Sequence, residues 1–219
     1  MKQINFIIAI ATFNRFNHLK VVIDSILKQK LKKNVNLEVV ISNSCSTDET
    51  SSFLKSFKTN KQFHIHNKSE KIPNNTLSQF VNFENLSNTI PKHADWVWWL
   101  GDDDKLVDNN SVQCVVDTIM ENDEDDLTFV HACSARRSSK KKNKVKDSIF
   151  NLCQEYGYHE MLGWCSSIVM KGNAFKNILA SSCRNKNYKD DETQKAVSCY
   201  IHSANILRNY HDKLGIFLD

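Results

Sequence analysis

The sequence predicts an α/β fold: a doubly wound, mostly parallel sheet flanked by helices. Three observations carry this. Short apolar strands alternate with amphipathic segments of helix length. The first strand, Ile4 to Ala11, is apolar almost without a break, as expected of a strand buried on both faces. The length of 219 residues suits one such domain and is cramped for two.

After Ile4 to Ala11, residues Leu19, Val22, Ile23, Ile26 and Leu27 recur at helical spacing. Leu37 to Ile41 is a second strand. Ser46 or Thr47 can cap a helix running through Phe53, Leu54 and Phe57. Gln62 to His66 is a weak third strand, and residues 75–88 read as helix. Trp96 to Leu100 is a strongly apolar strand that stops at Gly101-Asp102-Asp103-Asp104. A helix follows, with Val112, Val115, Val116, Ile119 and Met120 on one face, and then a strand at Leu127 to Ala132. The second half is less regular. It offers a strand within Met161 to Met170, a loop from Cys183 to Asp191, and a helix from Thr193 through Leu207 that lies close to the chain's end.

Hydrophobic residues make up 41% and charged residues 25% of the chain, which argues against disordered and fibrous classes. No apolar run approaches the ~18–20 residues that span a bilayer. The N-terminal apolar run has no small-residue cleavage site, so it is not read as a signal peptide. The seven cysteines are widely spaced, without a CxxC pair, and read as reduced thiols, mostly packed as small apolar groups. With 5 Gly and 2 Pro against 24 Asn, turns must rest on Asn, Asp and Ser.

The net charge of +4 is concentrated: Arg136 to Lys146 carries seven cations in eleven residues. This run reads as a solvated loop, as a surface for an anionic membrane, or as a nucleic-acid contact. No aromatic residue interleaves the charges, so a stacking platform for single strands is not supported and no nucleic-acid partner is expected.

Ligands of doubly wound sheets bind beyond the carboxyl ends of the strands. Three polar segments lie there: Thr12 to Arg15, Ser42 to Asp48, and Gly101 to Lys105. Asp102-Asp103-Asp104 is the sharpest of them. Three carboxylates after a buried Trp-rich strand need neutralising, and a hard divalent cation completed by diphosphate oxygens and water would do so. The competing reading is an acidic cap on the following helix, although a cap needs only one Asp.

At these residues a resemblance emerges. Ile8-Ala9-Ile10-Ala11-Thr12-Phe13-Asn14-Arg15 resembles the opening strand and nucleotide loop of family 2 glycosyltransferases of the GT-A fold. Val40 to Thr50 resembles that family's second loop. Trp98-Trp99-Leu100-Gly101-Asp102-Asp103-Asp104 resembles its DxD motif, in the form seen in bacterial surface-polysaccharide members of the abequosyltransferase-like type. The likeness is good over residues 4–132 and loose beyond.

The resemblance implies one GT-A-like domain over 1–219, with a Rossmann-like nucleotide-sugar half at 1–132 and a smaller acceptor-side half at 133–219, shorter than in many members. It implies a hexosyltransferase-like enzyme that uses Mn²⁺ or Mg²⁺. The reaction would be inverting transfer from a UDP-, CDP- or dTDP-linked sugar to a hydroxyl of a growing surface glycan or lipid-linked glycan. The setting would be cytoplasmic, peripheral at the inner face of the cell membrane, with residues 136–146 as the membrane contact. Thr12, Asn14 and Arg15 would line the nucleotide pocket, with Asn43 and Ser44 near the base. Asp102 would face the ribose or sugar and share the metal, Asp103 would belong to the donor site, and Asp104 would be the direct metal ligand.

Asn43 stands where the family usually has Asp. An Asn amide can accept from uracil or thymine, or donate to cytosine, so the base is left open. A plain turn-forming role is the alternative. Inverting members need a general base for the acceptor hydroxyl. Asp191, then Asp190, fit the family's placement, with helix capping as the competing reading. His202 is an alternative base, weighed against a packing role. His159 and Glu160 could line the acceptor site, and Trp164 could stack on a sugar or pack in the core. His64 and His66 share a strand face and read as structural. Two other functions stay open: a nucleotidyltransferase, which normally carries a Gly-rich loop absent here, and a non-catalytic binding module on the same fold.

Overall fold

The computed structural model describes residues 2–57, 62–67, 77–122, 124–132, 144–179 and 200–218. In chain order its first half contains β1 (Ile4–Thr12), α1 (Phe16–Leu27), β2 (Val35–Asn43), α2 (Thr50–Lys55), β3 (Phe63–Asn67), α3 (Leu77–Thr89), β4 (Trp96–Trp99), α4 (Ser111–Glu121) and β5 (Leu127–Ala132). There follow β6 (Lys144–Ser148), α5 (Ile149–Tyr156), α6 (Tyr158–Leu162), a 3₁₀ turn (Cys165–Ser167), β7 (Ile168–Lys171), α7 (Gly172–Ile178), α8 (Ile201–Tyr210) and β8 (Leu214–Leu218).

All eight strands form one sheet in the order β3-β2-β1-β4-β7-β5-β8-β6. The pairs β3–β2, β2–β1, β1–β4 and β5–β8 are parallel. β7 lies antiparallel between β4 and β5, and β6 closes the edge antiparallel to β8. The strand order reverses at β1, whose neighbours are β2 and β4, and in doubly wound sheets ligands bind beyond the carboxyl ends of the strands at such a point.

Side-chain alternation along β1 builds two cores. Phe6, Ile8 and Ile10 face α1 and α4, packing against Leu19, Val22, Ile23, Ile26, Val112, Val115, Val116 and Ile119. Ile7 and Ala9 face the opposite layer, with Leu86 and Ile90 near α3, Leu152 of α5, Met161 of α6, Phe175 of α7 and Ile206 of α8. A strand with both faces covered has no polar face to show, which explains the unbroken apolar run. α7 starts hard against the loop before β4. A Cβ on Gly172 would lie 2.2 Å from the Ala94 carbonyl oxygen, so only glycine fits that approach.

Several expectations need correction. α2 begins at Thr50 and is not capped by Ser46 or Thr47. The Ser46 hydroxyl is engaged with Asn14 and Asn43, and Asp48 instead accepts from the Thr50 N–H at 3.0 Å. Only the last part of Met161–Met170 is strand. Its start completes α6, and the chain then makes the 3₁₀ turn before β7. β6 and β8 were not anticipated. Lys144 and Lys146, the end of the basic run, lie in β6, and their ammonium groups pair with Glu121 and Glu124. Residues 136–143 lie outside the described residues, as do 180–199 and hence Asp190, Asp191 and the start of the helix expected at Thr193.

On β2 a carboxylate is buried on purpose-made partners. Glu38 is 7% exposed and accepts from the Asn36 amide at 2.9 Å, His93 Nε2 at 2.8 Å and His64 Nε2 at 2.5 Å. Burial pushes Glu38 upward, but the His93 and His64 hydrogen bonds outweigh it and hold the group below its usual 4.5. A lowered carboxylate pKa contributes stability above the unfolded value, and that stability is lost as pH falls through the folded value. Glu38→Gln is therefore expected to cost about 1–3 kcal/mol at pH 7. In urea titrations across pH, the gap to wild type should narrow below pH 4.5; a gap independent of pH would refute this account.

Candidate active site

Register places the three loops together. Thr12 pairs with Asn43 across β1–β2, so these two strands end level. Ala9 pairs with Trp99, the last residue of β4, so the chain that follows β4 runs alongside the end of β1. Leu100 continues the contact by donating its N–H to the Ala9 carbonyl at 3.0 Å. Asp102 thereby comes beside Thr12 and Arg15.

The first two loops turn without glycine. Asn14 has φ 52° and Cys45 has φ 55°, both in the left-handed region. Asn tolerates this conformation; Cys is strained there. Side chains hold the two turns to each other. Asn14 donates its N–H to Ser46 Oγ at 2.9 Å, and Asn14 Oδ1 accepts from the Thr47 N–H at 2.7 Å. Asp48 accepts from the Phe16 N–H at 3.0 Å, which ties the start of α1 to the β2 loop. Burial works against the Asp48 charge, but the hydrogen bonds from Thr50 and Phe16 outweigh it and hold the carboxyl below its ordinary range.

Asn43 is 1% exposed. Its Oδ1 accepts from the Ser46 hydroxyl at 2.6 Å, and its Nδ2 donates to Ser51 Oγ at 3.0 Å. The amide thus braces the loop with both ends engaged. Ser44 is also buried and donates its N–H to the Thr12 carbonyl at 3.1 Å.

The three aspartates have separate surroundings. Arg15 Nη1 donates to Asp103 Oδ2 at 2.6 Å and lies 3.5 Å from Asp102 Oδ1. Hydrogen bonding to Asp103 and the charge of Asp102 raise the Arg15 pKa further. Burial pushes the Asp102 carboxyl above the ordinary Asp range, and the Thr12 hydroxyl and the Arg15 charge pull it part of the way back. Asp104 Oδ2 accepts from Ser166 Oγ at 2.6 Å. α4 begins only at Ser111, with Asn110 as its cap residue, so the triple-Asp run does not cap that helix. Ser166, brought in from the second half by the 3₁₀ turn, is the site residue that sequence reasoning missed.

The donor set suits a hard divalent cation. Among the described residues no three His, Cys, Asp or Glu side chains form a complete metal site, so a cation here would rely on Asp102 and Asp104 plus ligand oxygens. Thr12 is buried beside Asp102, where its hydroxyl favours the charged carboxylate.

His202 is buried, edge-on to Trp99 at 5.0 Å, and its Nε2 donates to the Leu162 carbonyl at 2.9 Å. Burial pushes this imidazole down to about 4, so at neutral pH it is an uncharged packing group. Trp164 is 49% exposed and meets the exposed His159 edge-on at 5.4 Å, while the Glu160 carbonyl accepts from His131. Burial pushes the Cys153 and Cys165 thiols up to about 11, as expected for packed, unreactive thiols. A cleft of about 650 Å³ opens at the opposite, amino-terminal ends of β1 and β4, lined by Ile4, Asp95, Trp96 and Lys171, away from these loops.

The left-handed turn at Cys45 makes a test. Cys45→Gly should be neutral or stabilise by up to about 1 kcal/mol, and Cys45→Val should destabilise by more than ~1 kcal/mol, because a β-branched residue resists positive φ. Thermal unfolding of the two variants checks the order; the reverse order would refute the strained-turn account.

Comparison with known proteins bears on the family and the fold. The sequence model described as "Glycosyl transferase family 2" matches residues 7–179. No curated protein matches the chain in sequence. The solved structure of S. aureus TarS 1–349 in complex with UDP is 16% identical, with a TM-score of 0.60 over 100% of this chain and 58% of that one. The mannosyltransferase PcManGT from Pyrobaculum calidifontis, in complex with GDP-Man and Mn²⁺, is 12% identical, with a TM-score of 0.54 over 95% of this chain and 65% of that one. The chain thus spans under two thirds of either structure, and at such identities the likeness speaks to the fold. The family match extends from β1 through α7 and takes in all three site loops: the chain belongs to glycosyl transferase family 2.

Proposed function

We propose that the protein transfers a sugar from a nucleotide-diphosphate donor to a hydroxyl of a growing surface glycan, with inversion at the anomeric carbon. The observation that carries this reading is the placement of the Asp102-Asp103-Asp104 run beyond the carboxyl ends of β1 and β4, with Asp102 beside Arg15 and the buried Thr12 and with Asp104 held by Ser166. The UDP, UDP-GlcNAc and GDP-Man bound in the TarS and PcManGT structures support a nucleotide-sugar donor here. The proposed donor is UDP-, CDP- or dTDP-linked, and the finer type is abequosyltransferase-like and hexosyltransferase-like.

In this mechanism Thr12, Asn14 and Arg15 line the nucleotide, with Asn43 and Ser44 shaping the wall at the base. Arg15 offers the diphosphate a cationic partner, and Asp103 fixes where that guanidinium stands. Asp102 and Asp104 hold Mn²⁺ or Mg²⁺, which when bound supplies Lewis-acid charge to the departing nucleoside diphosphate. Asp191, or Asp190, takes the proton from the acceptor hydroxyl. The acceptor is a glycan or lipid-linked glycan, met at the inner face of the cell membrane through the basic run 136–146. Among the described residues no helix is long and apolar enough to cross a membrane.

One observation favours a second reading, a non-catalytic binding module. Both ends of the Asn43 amide are engaged within the loop, so reading a base edge requires it to exchange partners. A thermal-shift panel of UDP, CDP, GDP and dTDP, each with and without Mn²⁺, separates the readings. Saturation at 100 times the dissociation constant adds ~2.7 kcal/mol, a shift of roughly 5–10 °C. A metal-dependent shift with one nucleotide is expected; none with any nucleotide, in a protein that melts cooperatively, would overturn the donor site. Asp104→Ala should keep the fold and lower transfer by about a thousandfold, the equivalent of several kcal/mol of lost charge stabilisation. Substantial turnover by that variant would refute the metal assignment, and release of pyrophosphate in place of nucleoside diphosphate would identify a nucleotidyltransferase.

A further inference from the structure

We propose that Ser166 is the positioning residue that presents Asp104 to the divalent cation, and so links the second half of the chain to the donor site. The inference rests on the metal reading above. Ser166 Oγ donates its one proton to Asp104 Oδ2 at 2.6 Å and accepts from the Gly101 N–H at 2.8 Å. One hydroxyl therefore pins both ends of the Gly101–Asp104 turn. The Ser166 backbone is itself fixed, because Trp98 Nε1 donates to its carbonyl at 2.7 Å. The clamp runs from the indole of a buried strand residue, through the 3₁₀ turn, to the carboxylate.

Crowding around Gly101 shows how closely this was built. A Cβ at that position would lie 3.0 Å from Ser166 Oγ, 3.1 Å from Asp103 Oδ1 and 3.2 Å from Asp104 Oδ2. Three side-chain oxygens thus converge on a glycine, and a larger residue would push at least one away.

The chemistry requires such a support. Asp104 sits on an exposed loop, and its carboxylate would otherwise rotate. A hydroxyl donor holds one oxygen and leaves the other oxygen's lone pairs to a cation. Arg15 is directed at Asp103 and Asp102, and Ser166 is the side chain that holds Asp104. Partners that orient metal ligands in this way are typically worth about 10–100-fold in metal affinity.

The test measures Mn²⁺ affinity, by electron paramagnetic resonance of the free ion, in the presence of the nucleoside diphosphate that the panel selects. Wild type, Asp104→Ala, Ser166→Ala and Ser166→Thr are compared. Ser166→Ala should weaken Mn²⁺ about 10–100-fold, with nucleotide binding in the absence of metal unchanged. Ser166→Thr keeps the hydroxyl and should recover most of the loss, which a purely structural defect would not predict. Melting curves confirm that each variant is folded. Wild-type affinity in a folded Ser166→Ala variant, while Asp104→Ala loses Mn²⁺, overturns the positioning role alone. Failure of wild type to bind Mn²⁺ with any of the four nucleotides, or undiminished binding by Asp104→Ala, overturns the metal reading and this role with it.

Discussion

The pairing of Ala9 with Trp99 sets where β4 ends, and with it where three carboxylates stand. β4 is only four residues long, and its neighbour β1 continues past it to Thr12. The chain leaving β4 therefore turns alongside β1. Asp102 arrives at Thr12 and Arg15, while Asp104 is carried across to Ser166. A one-residue slip would exchange the faces of Trp98 and Trp99, which belong to different cores. The two packed layers thus enforce the register, and the register in turn assembles the site.

Scarcity of glycine shapes the same region. Five glycines serve the whole chain, and the loops that follow β1 and β2 contain none. Where such turns would otherwise rest on permissive backbone, this protein uses Asn14, Asn43, Ser46 and Asp48 as cross-braces. The loops become rigid through side chains. The same bracing occupies Asn43, so the residue whose identity was expected to reveal the base is also a structural strut.

Much of this was legible in the sequence, and the boundary of legibility has physical causes. β1, β4, β5, α1 and α4 announce themselves because continuous burial or a helical stripe leaves a strong pattern. The three loops were found because ligands gather at the carboxyl ends of parallel strands. β6, with the sequence Lys-Val-Lys-Asp-Ser, carries no apolar alternation; it is a charged edge strand, and lysines there discourage pairing with other chains. Ser166 was hidden because its importance depends on a carboxylate 62 positions earlier in the chain. His64 gave no clue to its partner for the same reason, since Glu38 lies on the neighbouring strand. Local chemistry can be read from a sequence, whereas pairing across the fold cannot.

The sheet order has a consequence for biosynthesis. β4 is completed at Trp99, but the strand that covers its open side, β7, begins only at Ile168. During translation at ~5–20 residues per second, that gap leaves a tryptophan-rich edge uncovered for roughly 4–14 s. Until then the nascent chain presents unpaired backbone groups beside large apolar rings, a surface that chaperones bind and that neighbouring chains on a polysome can capture. The strand that leads into the triple-Asp loop therefore waits for its neighbour, and its cover arrives with the same segment that delivers Ser166.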